Sequence, residues 1–480
     1  MITYENTEIN YKNIPENLSD EQKEEYKLLN NPEFMQGFKA YMLKQDVKGA
    51  IIFYQDYIKT NGFVGVVRYK NFQLDILPKL LSSKHPSIDD DGNSKQDDIK
   101  DNCDNEEVSK VLKNLIFMIS KTQKLEIKVT EQSDLNHCDN PFLEVLIREY
   151  AVSLFECLKR LTPRNYVREE ENLNYLKGKL KFTENIRYNC ANQAKFYCEY
   201  DEFSENNKLN RLFLFIAKSL FKITKSSDNR KILSFIMNYF CDLPFEVTDK
   251  YKAGKIILTR NQKLFEYPFK LAKMFLEHIS IDISQKTIEN VTLLWSMGNL
   301  FEEFVAELIN KGQSEYSVCI QKDYPLLKNK SKEYNRKLTY VDVLLEKNDE
   351  TRTKIILDTK YKLSSLDSGD IYQVSTYCLL HNSHNAILFY PMDKPPDEND
   401  IKNKNKYFKQ DKVRYWLNTV KYEVAIDRIY INLFLDDLRK LFDNVNSLVD
   451  ILNNIIEQNN QENIKIKLEE ISGKNIKIIK

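Results

Sequence analysis

Residues 339–362, TYVDVLLEKNDETRTKIILDTKYK, set two aspartates and a lysine inside apolar runs with the two-residue period of a strand. Tyr340, Asp342 and Leu344 share one strand face, and Ile356, Asp358 and Lys360 share a face of the next strand. The polar link KNDET suits a hairpin turn. With its centre near Glu350, antiparallel pairing brings Asp342 opposite Asp358, since each stands eight residues from that centre. Unit charges about 4 Å apart repel by roughly 4 kcal/mol at an effective dielectric near 20. Such a pair needs a shared proton, a cation or both. Oxygen ligands that leave positions for water and phosphate suit Mg2+, and Lys360 on the same face is placed to orient or deprotonate an attacking water. The same residues also allow a plain buried Asp358–Lys360 ion pair with Asp342 elsewhere.

Two flanking helices bear on the choice. The run NLFEEFVAELIN predicts a helix over about 298–311 with an apolar stripe of Leu300, Phe301, Phe304, Val305, Leu308 and Ile309. Glu302 lies nearer the edge of that stripe than Glu303 and reaches toward the site, or it forms a capping box with Asn299. In GDIYQVSTYCLL, Asp370, Gln373 and Tyr377 fall on one helical stripe. Gln373 lines the site, or Asp370 and Gln373 form a cap; Tyr377 is a site residue or ordinary core. The order from residue 290 is a helix, strands at 316–323, 338–347 and 353–361, a helix at 370–381 and a strand at 385–390. That order describes an α/β unit with a mixed sheet. The tail LFDNVNSLVDILNNIIEQ reads as a closing helix.

A chain of 480 residues is long enough for two or three domains. Residues 50–80 read as β-hairpin material, giving a β-rich N-terminal domain over 1–140. Within it, 85–107 carries nine acidic and two basic side chains with almost nothing apolar, the composition of a disordered insertion or a solvated acidic loop. Residues 141–285 are mainly helical in period, with a polar, aromatic interruption broken at Gly178, and 286–480 holds the α/β unit. The expected class is therefore α/β in the broad sense, an α+β multidomain chain.

Charge balances at 71 basic against 71 acidic residues, so nucleic-acid contact must come from local patches. One such patch is QKDYPLLKNKSKEYNRK, where Lys328, Lys330, Lys332, Arg336 and Lys337 are candidates to grip a phosphate backbone, or form a solvated basic loop. Eight cysteines without a C-x-x-C pair, and five histidines not clustered beside them, indicate neither a zinc module nor a disulfide framework. A reduced, soluble, cytoplasmic chain is expected, with no membrane span. No G-x-x-x-x-G-K-[ST] occurs, so nucleotide hydrolysis through a P-loop is not expected.

With Glu302, Asp342, Asp358-Thr359-Lys360 and Gln373-x-x-x-Tyr377 in this order, the C-terminal segment resembles the PD-(D/E)xK nuclease core. More narrowly, ILDTKYK followed by DIYQVSTY is similar to the signature of the McrC family, the nuclease subunits of McrBC modification-dependent restriction systems. GFVGVVRYKNFQLDILPKL, EENLNYLKGKLKF and EYDEFSENNKLNRL resemble that family's upstream motifs, so the likeness spans most of the chain. Val341 stands where the core's name expects proline, a position that shapes the strand rather than binding metal. The resemblance implies a restriction-endonuclease-like core and Mg2+-dependent hydrolysis of double-stranded DNA. It carries Asp342 and Asp358 over as metal ligands, Lys360 as the catalytic lysine, and Glu302 and Gln373 as supporting residues. It also implies a separate McrB-like AAA+ GTPase ring that reads the modified base, with the N-terminal half docking on and stimulating that ring. A stand-alone nuclease of the same core, cutting without a partner, and a non-catalytic DNA-binding adaptor, indifferent to Asp358→Ala, are the alternatives.

Overall fold

The computed structural model describes residues 1–12, 14, 20–45, 47–81, 105–122, 141–246, 250–282, 287–312, 314–327, 337–350, 352–362, 367–402, 405–411, 415–418 and 423–459. Most of the acidic segment 85–107 lies outside them; only its last three residues fall inside, at the start of the helix Asn105–Thr122. The chain is mixed α/β, as expected, and forms two compact units, both discontinuous in sequence. One comprises Met1–Gly65, Asp75–Lys124 and Leu294–Lys480; the other comprises Val66–Leu74 and Leu125–Leu293.

The first unit is built around a mixed sheet. Its strand order is Tyr316–Leu327, Lys337–Lys347, Lys354–Thr359, Asn385–Pro391, Glu423–Ile431 and Phe408–Gln410, and Tyr415–Asn418 also pairs with Glu423–Ile431. Lys337–Lys347 pairs antiparallel with Tyr316–Leu327 on one side and Lys354–Thr359 on the other, whereas Lys354–Thr359, Asn385–Pro391 and Glu423–Ile431 are mutually parallel. A parallel step needs a crossover, and the helix Ser368–His381 provides it. Val374, Tyr377 and Cys378 of that helix are buried in one core with Leu344, Ile356, Ala386, Leu388 and Ile426 of the sheet. The Asn385–Pro391 strand is buried along its whole length, as befits a central strand covered on both faces.

The N-terminal segment belongs to the same unit. Ile2–Tyr4 pairs parallel with the end of the strand Phe72–Leu77, Ile2 opposite Asp75 and Tyr4 opposite Leu77. A small antiparallel sheet joins Glu8–Asn10, Tyr57–Thr60 and Ile51–Phe53. The helix Pro32–Leu43 starts at an Asn31 cap that accepts from the Glu33 and Phe34 amides, and buries Phe34, Phe38, Tyr41 and Met42 along one stripe. The helix Asn105–Thr122 is tied to the C-terminal chain through Asn114, which donates to Leu435 O and accepts from Leu438 N. Its Phe117 meets Phe304 of the helix Met297–Gly312 edge to face. The expected tail helix is present, with residues 439–443 and 445–459 helical.

The second unit is mainly helical, as its periodicity predicts. Pro141–Arg160, Lys208–Ile223, Ser227–Tyr239 and Glu266–His278 carry its core, where the Tyr150 hydroxyl donates to Phe213 O. The polar, aromatic interruption folds as a three-stranded antiparallel sheet of Asn165–Leu173, Phe196–Ser204 and Lys179–Leu180, with the helix Phe182–Asn189 between its last two strands in sequence. Gly178 enters it at φ +70°, against the backbone of Glu199 and Tyr200.

Candidate active site

The hairpin register is the one that alternation predicts. Val343 lies opposite Leu357 and Leu344 opposite Ile356, so one further step sets Asp342 across from Asp358. Asp342 Oδ2 accepts from the Thr359 amide at 2.8 Å and from Thr359 Oγ1 at 3.0 Å, which ties it to the end of the neighbouring strand. Asp358 is fully buried. Its Oδ2 lies 2.8 Å from Lys360 Nζ as an ion pair, and its Oδ1 accepts no hydrogen bond among the described residues. The Asp358–Lys360 pair thus exists, but Asp342 stands beside it rather than elsewhere.

Electrostatics follow from that crowding. Burial pushes the Asp358 carboxyl up to about 7, the Asp342 charge pushes the same way, and Lys360 opposes both. The Asp342 carboxyl is likewise raised by burial, against its Thr359 hydrogen bonds and the Lys360 charge. For Lys360 burial works to remove the proton, but Asp358, Asp370 and Asp342 outweigh it and hold the ammonium above its ordinary range.

Lys360 is steered from the covering helix. Its Nζ donates to Gln373 Oε1 at 2.8 Å, and Gln373 Nε2 donates to the Tyr377 hydroxyl at 2.8 Å, so the amide is fixed in one orientation. Tyr377 is a core residue as well as the last link of this chain. The helix cap is Asp367, which accepts from the Asp370 amide; Asp370 and Gln373 lie inside the helix and form no cap of their own. Asp370 is buried, pairs with Lys362 Nζ at 2.7 Å, accepts from the Tyr390 hydroxyl at 3.2 Å and lies 4.0 Å from Lys360. The helix Met297–Gly312 begins before Asn299, so Asn299 is not its cap, and Glu302 instead accepts from Gln321 Nε2 at 3.2 Å. The helix packs against both hairpin strands, and burial and then the Asp342 charge raise the Glu302 carboxyl, while the Gln321 hydrogen bond and the Lys360 charge lower it.

Glu302, Asp342, Asp358, Lys360 and Gln373 are therefore brought together from four elements. Lys328, Lys330, Lys332 and Arg336 lie outside the described residues, and Lys337 is described only as the first backbone position of its strand. Three neighbours escaped the sequence reading. Thr359 holds Asp342, Gln321 holds Glu302 from a left-handed backbone at φ 47°, and Lys362 neutralises Asp370. Only Thr359, the middle residue of D-x-K, stood in a recognisable pattern.

Among the described residues no group of three His, Cys, Asp or Glu side chains forms a metal cage. Two carboxylates with one buried oxygen left over fit an ion that keeps most of its water and binds protein through one or two carboxylates, as Mg2+ does.

A family model described as "McrBC 5-methylcytosine restriction system component" matches residues 58–391. No curated protein matches the chain. Among solved structures it is similar to a chain of the refined half-complex from the tetradecameric assembly of Thermococcus gammatolerans McrB AAA+ hexamers with bound McrC. The identity there is 19% and the TM-score 0.61, over 93% of this chain and 99% of that one. It is also similar to a chain of the cryo-EM structure of the Thermococcus gammatolerans McrBC complex, at 23% identity and a TM-score of 0.47, over 66% of this chain and 89% of that one. The first likeness shows the fold. No helix among the described residues is long and apolar enough to cross a membrane.

Proposed function

Because the chain belongs to the McrBC 5-methylcytosine restriction system component family, we propose that it is the Mg2+-dependent DNA endonuclease subunit of a McrBC-like restriction complex. It cleaves double-stranded DNA together with a separate McrB-like AAA+ GTPase ring, on which it docks and which it stimulates. One observation supports the nuclease reading most: the hairpin register sets Asp342 across from the buried Asp358 and puts Lys360 at the same edge.

Asp342 and Asp358 would hold the metal, which would supply positive charge at the phosphate and make water easier to deprotonate. Lys360, kept cationic by the carboxylates around it, faces the site and stabilises the negative charge that grows on the phosphate. Gln373 points the ammonium, since its own amide is locked by Tyr377. Glu302 supports from the neighbouring helix, its carboxylate oriented by Gln321. Lys328, Lys330, Lys332, Arg336 and Lys337 grip the DNA backbone without reading sequence.

The test is cleavage of methylated double-stranded DNA by the chain with its AAA+ partner, GTP and Mg2+. Wild type is expected to cut, and Asp358→Ala and Lys360→Ala are each expected to fall by at least about 100-fold, the order of a lost electrostatic contact in the transition state. Undiminished cutting by Asp358→Ala overturns the assignment; cutting without the partner overturns the dependence on a motor.

A further inference from the structure

The nuclease reading leaves several buried acids among the described residues unused, Glu5 among them. Glu5 is fully buried, and its Oε1 accepts from the Tyr361 hydroxyl at 2.7 Å and from the Lys79 amide at 3.2 Å, while Oε2 accepts nothing among the described residues. A carboxyl left half-satisfied in the core is costly, so the hydrogen bonds that its other oxygen does accept are the ones that hold it there. Burial raises this carboxyl to about 7, against the Tyr361 hydrogen bond and the Lys79 charge.

Both partners of that hydrogen bond are firmly held. The Glu5 amide donates to Leu77 O, and the preceding carbonyl, Tyr4 O, accepts from the Thr7 and Thr60 hydroxyls. At the other end Tyr361 directly follows Lys360, whose amide donates to Phe389 O at 2.8 Å at the end of the sheet. The strand ends at Thr359, and the chain turns at Tyr361, where the Lys362 amide donates to Lys360 O at 3.0 Å. Lys360 goes to Gln373 on the covering helix, whereas Tyr361 goes to Glu5, its ring 5.7 Å from that of Phe301. Phe301 is the residue before Glu302. The tyrosine that follows Lys360 thus packs beside the residue that precedes Glu302, with its hydroxyl on Glu5.

We propose that Glu5 and Tyr361 are positioning residues of the nuclease site: the N-terminal carboxyl anchors, through the tyrosine hydroxyl, the strand end that presents Lys360 and the helical turn that presents Glu302. Neither residue touches DNA or the metal; they act through their neighbours. The proposal rests on the nuclease reading, and its test separates the two.

In the full chain, assayed with the AAA+ partner, GTP and Mg2+, Tyr361→Phe and Glu5→Leu are expected to lower kcat at least tenfold with KM for DNA unchanged. Glu5→Gln, which keeps an acceptor for both the phenol and the Lys79 amide, is expected to stay within about threefold of wild type. Wild-type kcat in Tyr361→Phe, or equal losses in Glu5→Gln and Glu5→Leu, overturns the proposal. Amide hydrogen exchange on the same proteins gives a readout independent of cutting. Tyr361→Phe is expected to speed exchange in 358–362 and 300–304, and Glu5→Gln is expected to leave it slow. A wild type that does not cut refutes the nuclease reading alone, and the exchange rates still decide the anchor: unchanged rates in Tyr361→Phe overturn it.

Discussion

Asp358 carries a clear sign for stability. Its carboxyl is raised by burial to about 7 in the folded chain, against an ordinary value of about 4 when unfolded. Below about pH 4 both states hold the proton; between about 4 and 7 the folded state keeps a proton that the unfolded state has released. Its contribution is therefore lost as pH rises through that window and is constant above it. Asp358→Asn in EDTA is expected to gain stability over wild type progressively from pH 4 to 7, with a level difference above 7, as read by urea unfolding at each pH. A difference that is flat across the range contradicts the buried, uncompensated carboxyl. Glu5→Gln is expected to show a gain of the same sign, since Glu5 is raised the same way. Asp342, Asp358 and Lys360 were legible because strand alternation fixes a face without any knowledge of the fold. Glu5 was not, because its partner is 356 positions away and a lone acid in a polar N-terminus carries no period.

At the scale of elements, the hairpin, its two flanking helices and the crossover were readable from apolar period and turn residues. The sheet of Asn165–Leu173, Lys179–Leu180 and Phe196–Ser204 was not. Asn165–Leu173 has no buried position, and Phe196–Ser204 buries only Cys198 and Tyr200 while Tyr166 and Phe203 lie on the surface, so apolar residues mark no consistent face. What the sequence did mark was Gly178, and the structure gives the reason. A Cβ there meets Glu199 O at 2.5 Å and Tyr200 Cβ at 2.7 Å, on a backbone of positive φ. Gly178→Ala is expected to cost at least about 1 kcal/mol from the left-handed backbone alone, and to expose the 165–204 segment to limited proteolysis while divalent-metal binding at Asp342 and Asp358 is unchanged. Wild-type resistance to the protease contradicts the close approach.

At the scale of the whole molecule, reading along the chain suggests consecutive blocks, whereas the compact units collect segments distant in sequence. Ile2–Tyr4, the helix Asn105–Thr122 and the mixed sheet fall in one unit, the helix tied to the C-terminal chain through Asn114 and Phe117. Linear composition carries no trace of such a partnership, whereas ordered motifs do carry family membership, and the match over 58–391 runs through both units. A ligand that binds only the folded state stabilises the whole unit, by about 2.7 kcal/mol at a hundredfold excess over Kd. The most direct measurement is therefore calorimetric titration of the full chain with Mn2+ as the probe ion, paired with melting in Mg2+ and in EDTA at pH 8. Expected is saturable binding and a rise in Tm for wild type, both lost in Asp342→Asn and in Asp358→Asn. Binding and stabilisation that survive in either variant would contradict a metal held between the two hairpin aspartates.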